Sequence, residues 1–464
     1  MIQAAPEVAC LSMRLIATLL FALVGCKSGQ HVGAASGSVS PSEGGGELLA
    51  PPGPAQEAST RATSRGSPSQ PRLALQPIAG ESPTLKRLRE GQSLVEKLPK
   101  KADAWVTLGR LWMQHARETA DPGFYMNARE CADSALTLEP ASPVALALLS
   151  QAQLNAHQFA EAVSTAERAI AIDRSELTAL SVRSDALVEL GRLEDATAAV
   201  QAMMDLKPNL AAYSRTSYLR WLHGDRVGAK EAVRLAITSG RSPGDPEAHA
   251  WVLVQAAMIF WHEGDYGGAD AGFDMALASF PGYAPAWVGK GRVALSQQDG
   301  ATAARWFEQA FKKSPLVETA WLLGDARALS GDAAGAAEAH ATVVRRGRLD
   351  DPRTLASFLA TKKQDPAGAV RLARVELKRR ADLYSQDTLG FALFRAGQLA
   401  EARVHLDAAA RHGTKDASLL FHRGALLLAQ GDKESGQALL REALALNPGF
   451  SVDGAREAKG LLAP

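Results

Sequence analysis

At 464 residues the chain is long enough for two or three ordinary domains, or for one array that grows by adding units, and length alone does not choose between them. Hydrophobic residues make up 46% and charged residues 22%, with only 6% aromatics and much alanine and leucine, which favours helices over strands. With 51 basic against 50 acidic residues the formal charge is +1, so no overall field exists to draw in a polyanion, and no nucleic-acid partner is expected.

Near the N-terminus, Met13-Arg14 precede Leu15 to Val24, an apolar run without a charge, followed by Gly25-Cys26. The run is too short to span a bilayer as a stable helix but suits the core of a secretory signal. Leu23-Val24-Gly25-Cys26 resembles a bacterial lipobox. That resemblance implies a signal peptide over residues 1–26, diacylation of Cys26, and a protein held on a membrane by its hydrocarbon tails. The other readings are an ordinary cleaved signal and a chance apolar start. Glu7 and the lack of a basic residue upstream make Met13 a candidate initiator. Lys27 is not the aspartate that resembles an inner-membrane retention signal, so the implied location is the outer membrane of a bacterial envelope, facing the periplasm.

From residue 27 to about 80 the sequence is Gly, Ser, Pro and Ala with scattered charges, as in Ser42-Glu43-Gly44-Gly45-Gly46 and Pro51-Pro52-Gly53-Pro54. Such a segment buries too little apolar surface to offset its ordering entropy and is expected to be a disordered tether. As a Gly/Ser-like coil of about 54 residues it would span roughly 40 Å. A capping helix is expected over 81–101, ahead of the main array at 102–450.

One small residue recurs down the rest of the chain, at Ala128, Ala162, Ala196, Ala229, Ala269, Ala303, Ala336, Ala369, Ala402 and Gly436. The successive spacings are 34, 34, 33, 40, 34, 33, 33, 33 and 34. The unit opening at Ala284 shows the accompanying pattern most fully, with Trp287, Gly291, Ala303, Phe307, Ala310 and Pro315 at fixed offsets. Leu389-Gly390, Gly397, Ala402 and Ala409 continue it, as do Gly424, Gly431, Ala443 and Pro448; Trp105, Leu108 and Gly109 open the first unit, and Ala135 and Pro140 close it.

This period and these marks resemble the tetratricopeptide repeat, a helix–turn–helix unit, over about three quarters of the chain. The resemblance implies an all-α superhelical solenoid of about ten units. Small residues at the eighth and twentieth places let helices A and B of a unit approach closely. Gly191, Gly224, Gly264, Gly331, Gly397 and Gly431 suit the left-handed cap between them, and Pro140, Pro208, Pro281, Pro315 and Pro448 end helix B. Departures occur: Ser357 stands at an eighth place, Glu376 where a small residue is expected, and Arg174 in place of a closing proline. Extra residues sit at Glu118 to Tyr125 and around Ser242 to Pro246, the second insertion being expected to kink the superhelix and divide the array in two. A second capping helix is expected over 451–464.

In this family helix A lines the concave groove, so the resemblance implies a partner-binding site that includes Tyr218, Trp221, Trp251, Gln255, Met258 and Trp261, with Val254 beside them and Phe391 and Phe394 as a second candidate. Large aromatics facing a groove anchor peptides; the competing reading is that these rings pack between units. The lysine–asparagine clamp some relatives use for a C-terminal carboxylate is not assembled: the matching places hold Val106, Ala147 and Val288, with Arg110, Arg215 and Arg292 scattered between units.

Catalytic signals are weak. Gly289-Lys290-Gly291 has the wrong spacing for a phosphate loop and lies in a helix A. His262-Glu263 lacks a second histidine, His405 and His412 lack a carboxylate, and Cys131 sits among small residues where it should pack inside. The expectation is a scaffold that binds proteins or peptides, with no enzymatic activity, no cofactor, no metal and no small-molecule substrate. Two alternatives are a cytoplasmic adaptor without lipid and a carbohydrate-binding or envelope-assembly accessory protein.

Overall fold

The computed structural model describes residues 73–239 and 244–463, and every regular element in them is a helix. The signal-like stretch, Cys26 and residues 27–72 of the expected tether lie outside the described residues. The tether as read from sequence runs too far. Leu73–Leu75 forms a short 3-10 turn in which Ala74 is fully buried and its carbonyl accepts from Trp112 Nε1 at 3.1 Å, so this piece is packed against the first unit.

Helix α1 (Pro83–Lys97) precedes ten pairs. They are α2 (Ala102–Thr119) with α3 (Phe124–Leu138), α4 (Pro143–Asn155) with α5 (Phe159–Ile172), α6 (Leu177–Glu189) with α7 (Leu193–Leu206), and α8 (Leu210–Leu222) with α9 (Arg226–Thr238). Then come α10 (Pro246–His262) with α11 (Tyr266–Ser279), α12 (Ala284–Ser296) with α13 (Gly300–Lys313), and α14 (Val317–Leu329) with α15 (Ala333–Asp350). The last pairs are α16 (Pro352–Thr361) with α17 (Pro366–Arg379), α18 (Leu383–Arg395) with α19 (Leu399–Ala410), and α20 (Ala417–Ala429) with α21 (Lys433–Leu446); α22 (Val452–Leu462) follows. The ten units and the all-helical architecture are those implied by the repeat.

The small residues do what close packing requires. A methyl added at Gly291 would lie 2.5 Å from the Phe307 ring, and one at Gly390 would lie 2.7 Å from Leu406, so a larger side chain would force the paired helices apart. The turns carry a signal that the spacing of glycines alone does not reveal. Asp225, Asp265, Asp299, Asp332, Asp365 and Asp432 each cap a helix B, accepting from the backbone N–H three residues on.

The array does not remain an open rod. The turns that open its ninth and tenth units and the segment after α21 return onto units three to six, and the residues that meet are far apart in the chain. Arg380 Nη1 donates to Glu189 at 3.2 Å across 191 positions, and Asn447 Nδ2 donates to the Trp261 carbonyl at 2.7 Å across 186. The Thr414 hydroxyl donates to the Leu222 carbonyl, and Ser296 Oγ donates to the Gly449 carbonyl at 2.8 Å. Arg380 is 2% exposed, and its Nε also donates to the buried Glu376 at 2.6 Å. Burial pushes the Glu189 carboxyl up and the neighbouring Asp382 adds to this, while Arg380 opposes it. The core follows the same closure, since Leu383 and Leu419 join the cluster built from Leu146 to Val293.

The insertion before α10 acts as a strut. Asp245 and Glu247 both pair with Arg117 at the end of α2, the latter at 2.8 Å, and the Gly244 carbonyl accepts from Arg87 and Gln114. The expected division of the array at this point is not found. Val233 and Ala236 before the insertion and Ala250 and Leu253 after it belong to one apolar cluster, and α9 still stacks on α10 while Gly244 and Asp245 reach the first unit.

Two turn glycines separate the seam from the repeat. Gly224 has φ 75° and a methyl there would lie 2.5 Å from the Gly413 carbonyl oxygen, whereas Gly431 has φ 90° with nothing within 4 Å. Gly431→Ala should cost about 1–2 kcal/mol from left-handed strain alone. Gly224→Ala should cost at least about twice that, because it also pries the seam open; equal losses in urea denaturation would show that the seam contributes nothing.

His157 gives the seam a pH dependence. Burial, aided by Arg380, Arg379 and Arg353, takes its imidazole down to about 4. An unfolded imidazole titrates at about 6.5. Between these values the unfolded chain binds the additional proton, so stability is lost as pH falls through that window. His157 also has φ 58°, a conformation asparagine tolerates. His157→Asn should therefore flatten the melting temperature against pH between about 6.5 and 4, and an unchanged slope would show that the imidazole is not the group responsible.

Candidate functional site

The closed superhelix surrounds a cavity of about 560 Å³. Its wall is drawn mainly from the A helices of the first seven units, α2, α4, α6, α8, α10, α12 and α14, with B-helix and turn residues such as Phe159, Met203 and Tyr283 completing it. Helix A occupies the inner radius, so its mid-helix side chains converge on the axis. The middle of α10 supplies Trp251, Val254, Gln255 and Met258, with Val288 on α12 and Leu154 on α4 extending the apolar part. Among the described residues, the side-chain amides of Gln151 and Gln255 make no hydrogen bond, which leaves donors and acceptors available at the wall.

Charges in the wall are matched in pairs. Arg117 meets Glu247 at 2.8 Å, Arg215 Nε donates to Asp185 at 2.9 Å, and Arg292 Nη2 donates to Glu318 at 2.6 Å. Tyr283 donates its hydroxyl proton to Glu247 at 2.7 Å. Burial pushes the Asp185 carboxyl up, against the pull of Arg215, and desolvation moves Lys313 down. Glu247, Asp185 and Glu318 are thus each engaged by a guanidinium, while Glu118 accepts from Thr84 Oγ1 at 2.9 Å and Gln114 Nε2 at 2.8 Å. The arrangement suits binding: an apolar trough for a side chain, amides for a backbone, and fixed dipoles at the rim.

The residues singled out from sequence divide into two groups. Trp251, Gln255 and Met258 face the cavity, with Trp251 only partly buried. Trp221 and Trp261 do not; they are 1% and 6% exposed and flank His262, at ring distances of 5.2 and 5.0 Å. Both sit in the last turn of a helix A, where the returning units cover them, and Trp261 Nε1 donates to Ser296 Oγ at 2.9 Å. Tyr218 stacks on Trp221 and borders a second, smaller cavity of about 240 Å³ at the seam, beside Arg353 and Tyr384. Phe391 is buried against His422 with ring centres 3.7 Å apart, and Phe394 lies partly buried under Arg395, so this pair forms no second groove.

The rejected signals also have places. Lys290 pairs with Asp270 and Asp274 at 2.7 and 2.9 Å, His405 contacts Gln386 Oε1 through Nδ1 at 2.7 Å, and His412 lies edge-on to His223. Cys131 is fully buried, and burial pushes its thiol up. Among the described residues no helix is long and apolar enough to cross a membrane, and no group of three or more His, Cys, Asp or Glu could hold a metal.

Fold and channel together define an α-helical repeat solenoid whose cavity is walled mainly by the inner helices. Residues 147–211, 254–317 and 388–449 match the family described as tetratricopeptide repeat, and the chain is a tetratricopeptide-repeat protein. No curated protein sequence matches it. Among solved structures it is similar to the human IFIT1 dimer with PPP-AAAA, at 14% identity and a TM-score of 0.46, covering 78% of this chain and 86% of that one. It is also similar to yeast Tom70, at 14% identity and a TM-score of 0.32, covering 79% and 95% of the two chains. PilW, a type IV pilus biogenesis factor, is 16% identical with a TM-score of 0.38, covering 44% of this chain and 93% of that one.

Replacing the hidden rings should act on folding. Trp221→Ala and Trp261→Ala should each cost about 3–5 kcal/mol as large core deletions, while Trp251→Ala should cost clearly less. A chemical-denaturation series in which all three lose the same amount would contradict this placement.

Proposed function

We propose that this protein is a lipid-anchored scaffold of the bacterial cell envelope, and that its channel holds a segment of a partner protein. Tetratricopeptide repeats serve as protein-interaction scaffolds, and the observation that carries the reading here is the wall of the cavity: Trp251, Val254 and Met258 form an apolar trough beside the open amides of Gln151 and Gln255. A side chain entering such a trough buries apolar area while its backbone finds amide partners. The anchoring half of the reading rests on the lipobox-like Leu23-Val24-Gly25-Cys26.

A glycan platform would need free carboxylates around an exposed ring. Glu247, Asp185 and Glu318 are instead bound to arginines, which favours a peptide over a sugar. The same pairing leaves little free positive charge for a nucleic acid, and no catalytic role is proposed.

A photo-crosslinking amino acid at Val254 should trap a defined partner segment from isolated membranes, and Trp251→Ala/Gln255→Ala should reduce that adduct at least tenfold while lowering the melting point much less than Trp221→Ala does. Labelled palmitate should enter the protein and be lost in Cys26→Ala. Undiminished crosslinking in the double variant would remove the channel from the reading, and palmitate-free protein would remove the anchor.

A further inference from the structure

The repeat carries a charge pattern that neither the fold nor the channel uses. Nine and ten places after the recurring alanine, units six to nine hold Lys312-Lys313, Arg345-Arg346, Lys378-Arg379 and Arg411-His412. The first five units have no basic residue at those places, as Ala171-Ile172 and Asp205-Leu206 show, and the tenth has Ala445-Leu446. Equivalent places of stacked units fall on one line, so the four pairs form a basic track along the ends of the B helices. Cations at a helix C-terminus complement its dipole. That gain does not account for the track, since α3, α5, α7, α9, α11 and α21 end without a basic residue in the last turn.

Few of these charges are neutralised within the protein. Arg346 pairs with Asp350 at 2.7 Å and Arg379 with Glu376 at 3.5 Å. Among the described residues Lys312, Lys313, Arg345, Lys378 and Arg411 are exposed and meet no carboxylate; Arg345 Nη2 donates to Thr342 Oγ1 and Lys313 Nζ to the Gly282 carbonyl, both at 2.8 Å. The track also borders recesses. Lys313 stands in the channel wall, and Arg411 and His412 line the smaller cavity at the seam. Across the seam, Arg379 lies close enough to His157 in the second unit's turn to add to the effect of burial on that imidazole, and His412 lies 5.2 Å from His223 in the fourth unit's turn. At those two turns imidazoles face the track.

We propose that this track binds an acidic, extended segment of a partner protein, running from the channel mouth at Lys313 along the seam to Arg411. Neighbouring helices stand about one helix diameter apart, ~10–12 Å, and an extended chain advances about 3.3 Å per residue. The matching segment therefore places a Glu or Asp at every third or fourth residue, where ammonium and guanidinium groups make charge-assisted hydrogen bonds to it. A membrane surface is too flat to follow the track into the recesses at Lys313 and Arg411. The adjoining apolar trough suits a polypeptide better than a uniformly charged nucleic-acid backbone. The inference gives the channel's partner a charge, and it rests on the channel reading only for where the segment begins.

Fluorescence anisotropy of the full chain with a fluorescein-labelled probe, Glu-Gly-Ser repeated five times, tests this at low ionic strength, where exposed charges are least screened. A probe with Gln in place of Glu should bind at least tenfold more weakly. Lys312→Glu/Lys378→Glu, at two exposed and unpaired side chains, should weaken the Glu probe at least tenfold with the melting temperature unchanged. Lys100→Glu/Lys207→Glu makes the same change in net charge at exposed lysines outside the track and should leave affinity within about twofold. The Trp251→Ala/Gln255→Ala chain should bind the probe as the unaltered chain does, so a failed channel and a failed track are read separately. Equal losses in the two lysine pairs would reduce the effect to net charge and overturn the proposal. So would equal binding of the Glu and Gln probes. An oligouridine or a phosphatidylglycerol vesicle that binds more tightly than the probe, and loses that binding in Lys312→Glu/Lys378→Glu, would overturn it in favour of another polyanion.

Discussion

The buried bridge from Glu189 through Arg380 to Glu376, with the backbone contacts on either side of it, holds one turn of the superhelix against the next. Repeat solenoids are ordinarily quasi-one-dimensional, each unit touching only its neighbours. Here units six apart touch, and the array gains a long-range restraint that nearest-neighbour stacking cannot supply. An ion pair this deeply buried adds little net stability in itself, but losing one partner would strand a charge in the interior, so the bridge specifies which turns meet. The cavity depends on this choice, because an uncoiled array would spread the same A helices along an open face.

Curvature comes from the smaller contacts. Where glycine on helix A meets a ring on helix B, as at Gly289 against Phe273 and Gly291 against Phe307, the inner helices draw close while the outer ones keep their bulk. Small residues at the matching places of other units, as at Gly390 against Leu406, add to that asymmetry and bend the array until the ninth unit reaches the third. The mid-helix positions of helix A then share one small volume, which is why Trp251 and Met258 on one helix share a wall with Gln151 three units earlier and Val288 one unit later.

The fold was legible in the sequence because the recurring alanine and glycine are demanded locally, by one helix pair at a time. Closure was not legible, since it accumulates from small rotations that no single residue declares. That difference explains the division among the aromatics. In an open array the last turn of helix A borders the groove, so Trp221 and Trp261 read as groove residues; in the closed one that turn lies beneath Thr414, Asp416 and Asn447. Trp251, nearly three turns earlier on its helix, stays clear. A signal was present in the departures from the repeat. Glu376 at a place that should be small, four residues before Arg380, is an ion pair on one helical face with no reason to be there unless a third charge from elsewhere completes it. Ser357, the other misfit, bonds Thr388 across units at 3.0 Å. The insertion before α10 read as a break from its glycine and prolines, yet its two acids mark it as a contact with Arg117.

Seam spacing also limits how this gene could change in evolution. Open repeat arrays lengthen and shorten readily by duplication or deletion of whole units, since every junction resembles every other. In this chain Gly191, Gly224 and Gly264 must arrive opposite residues 381, 413 and 446. Inserting a single copy of the repeat anywhere between the third and ninth units would carry each of those partners one unit out of step. Copy number in that interval is therefore locked, while the first two units, outside it, are where recombination could trim or extend the molecule without unpicking its closure.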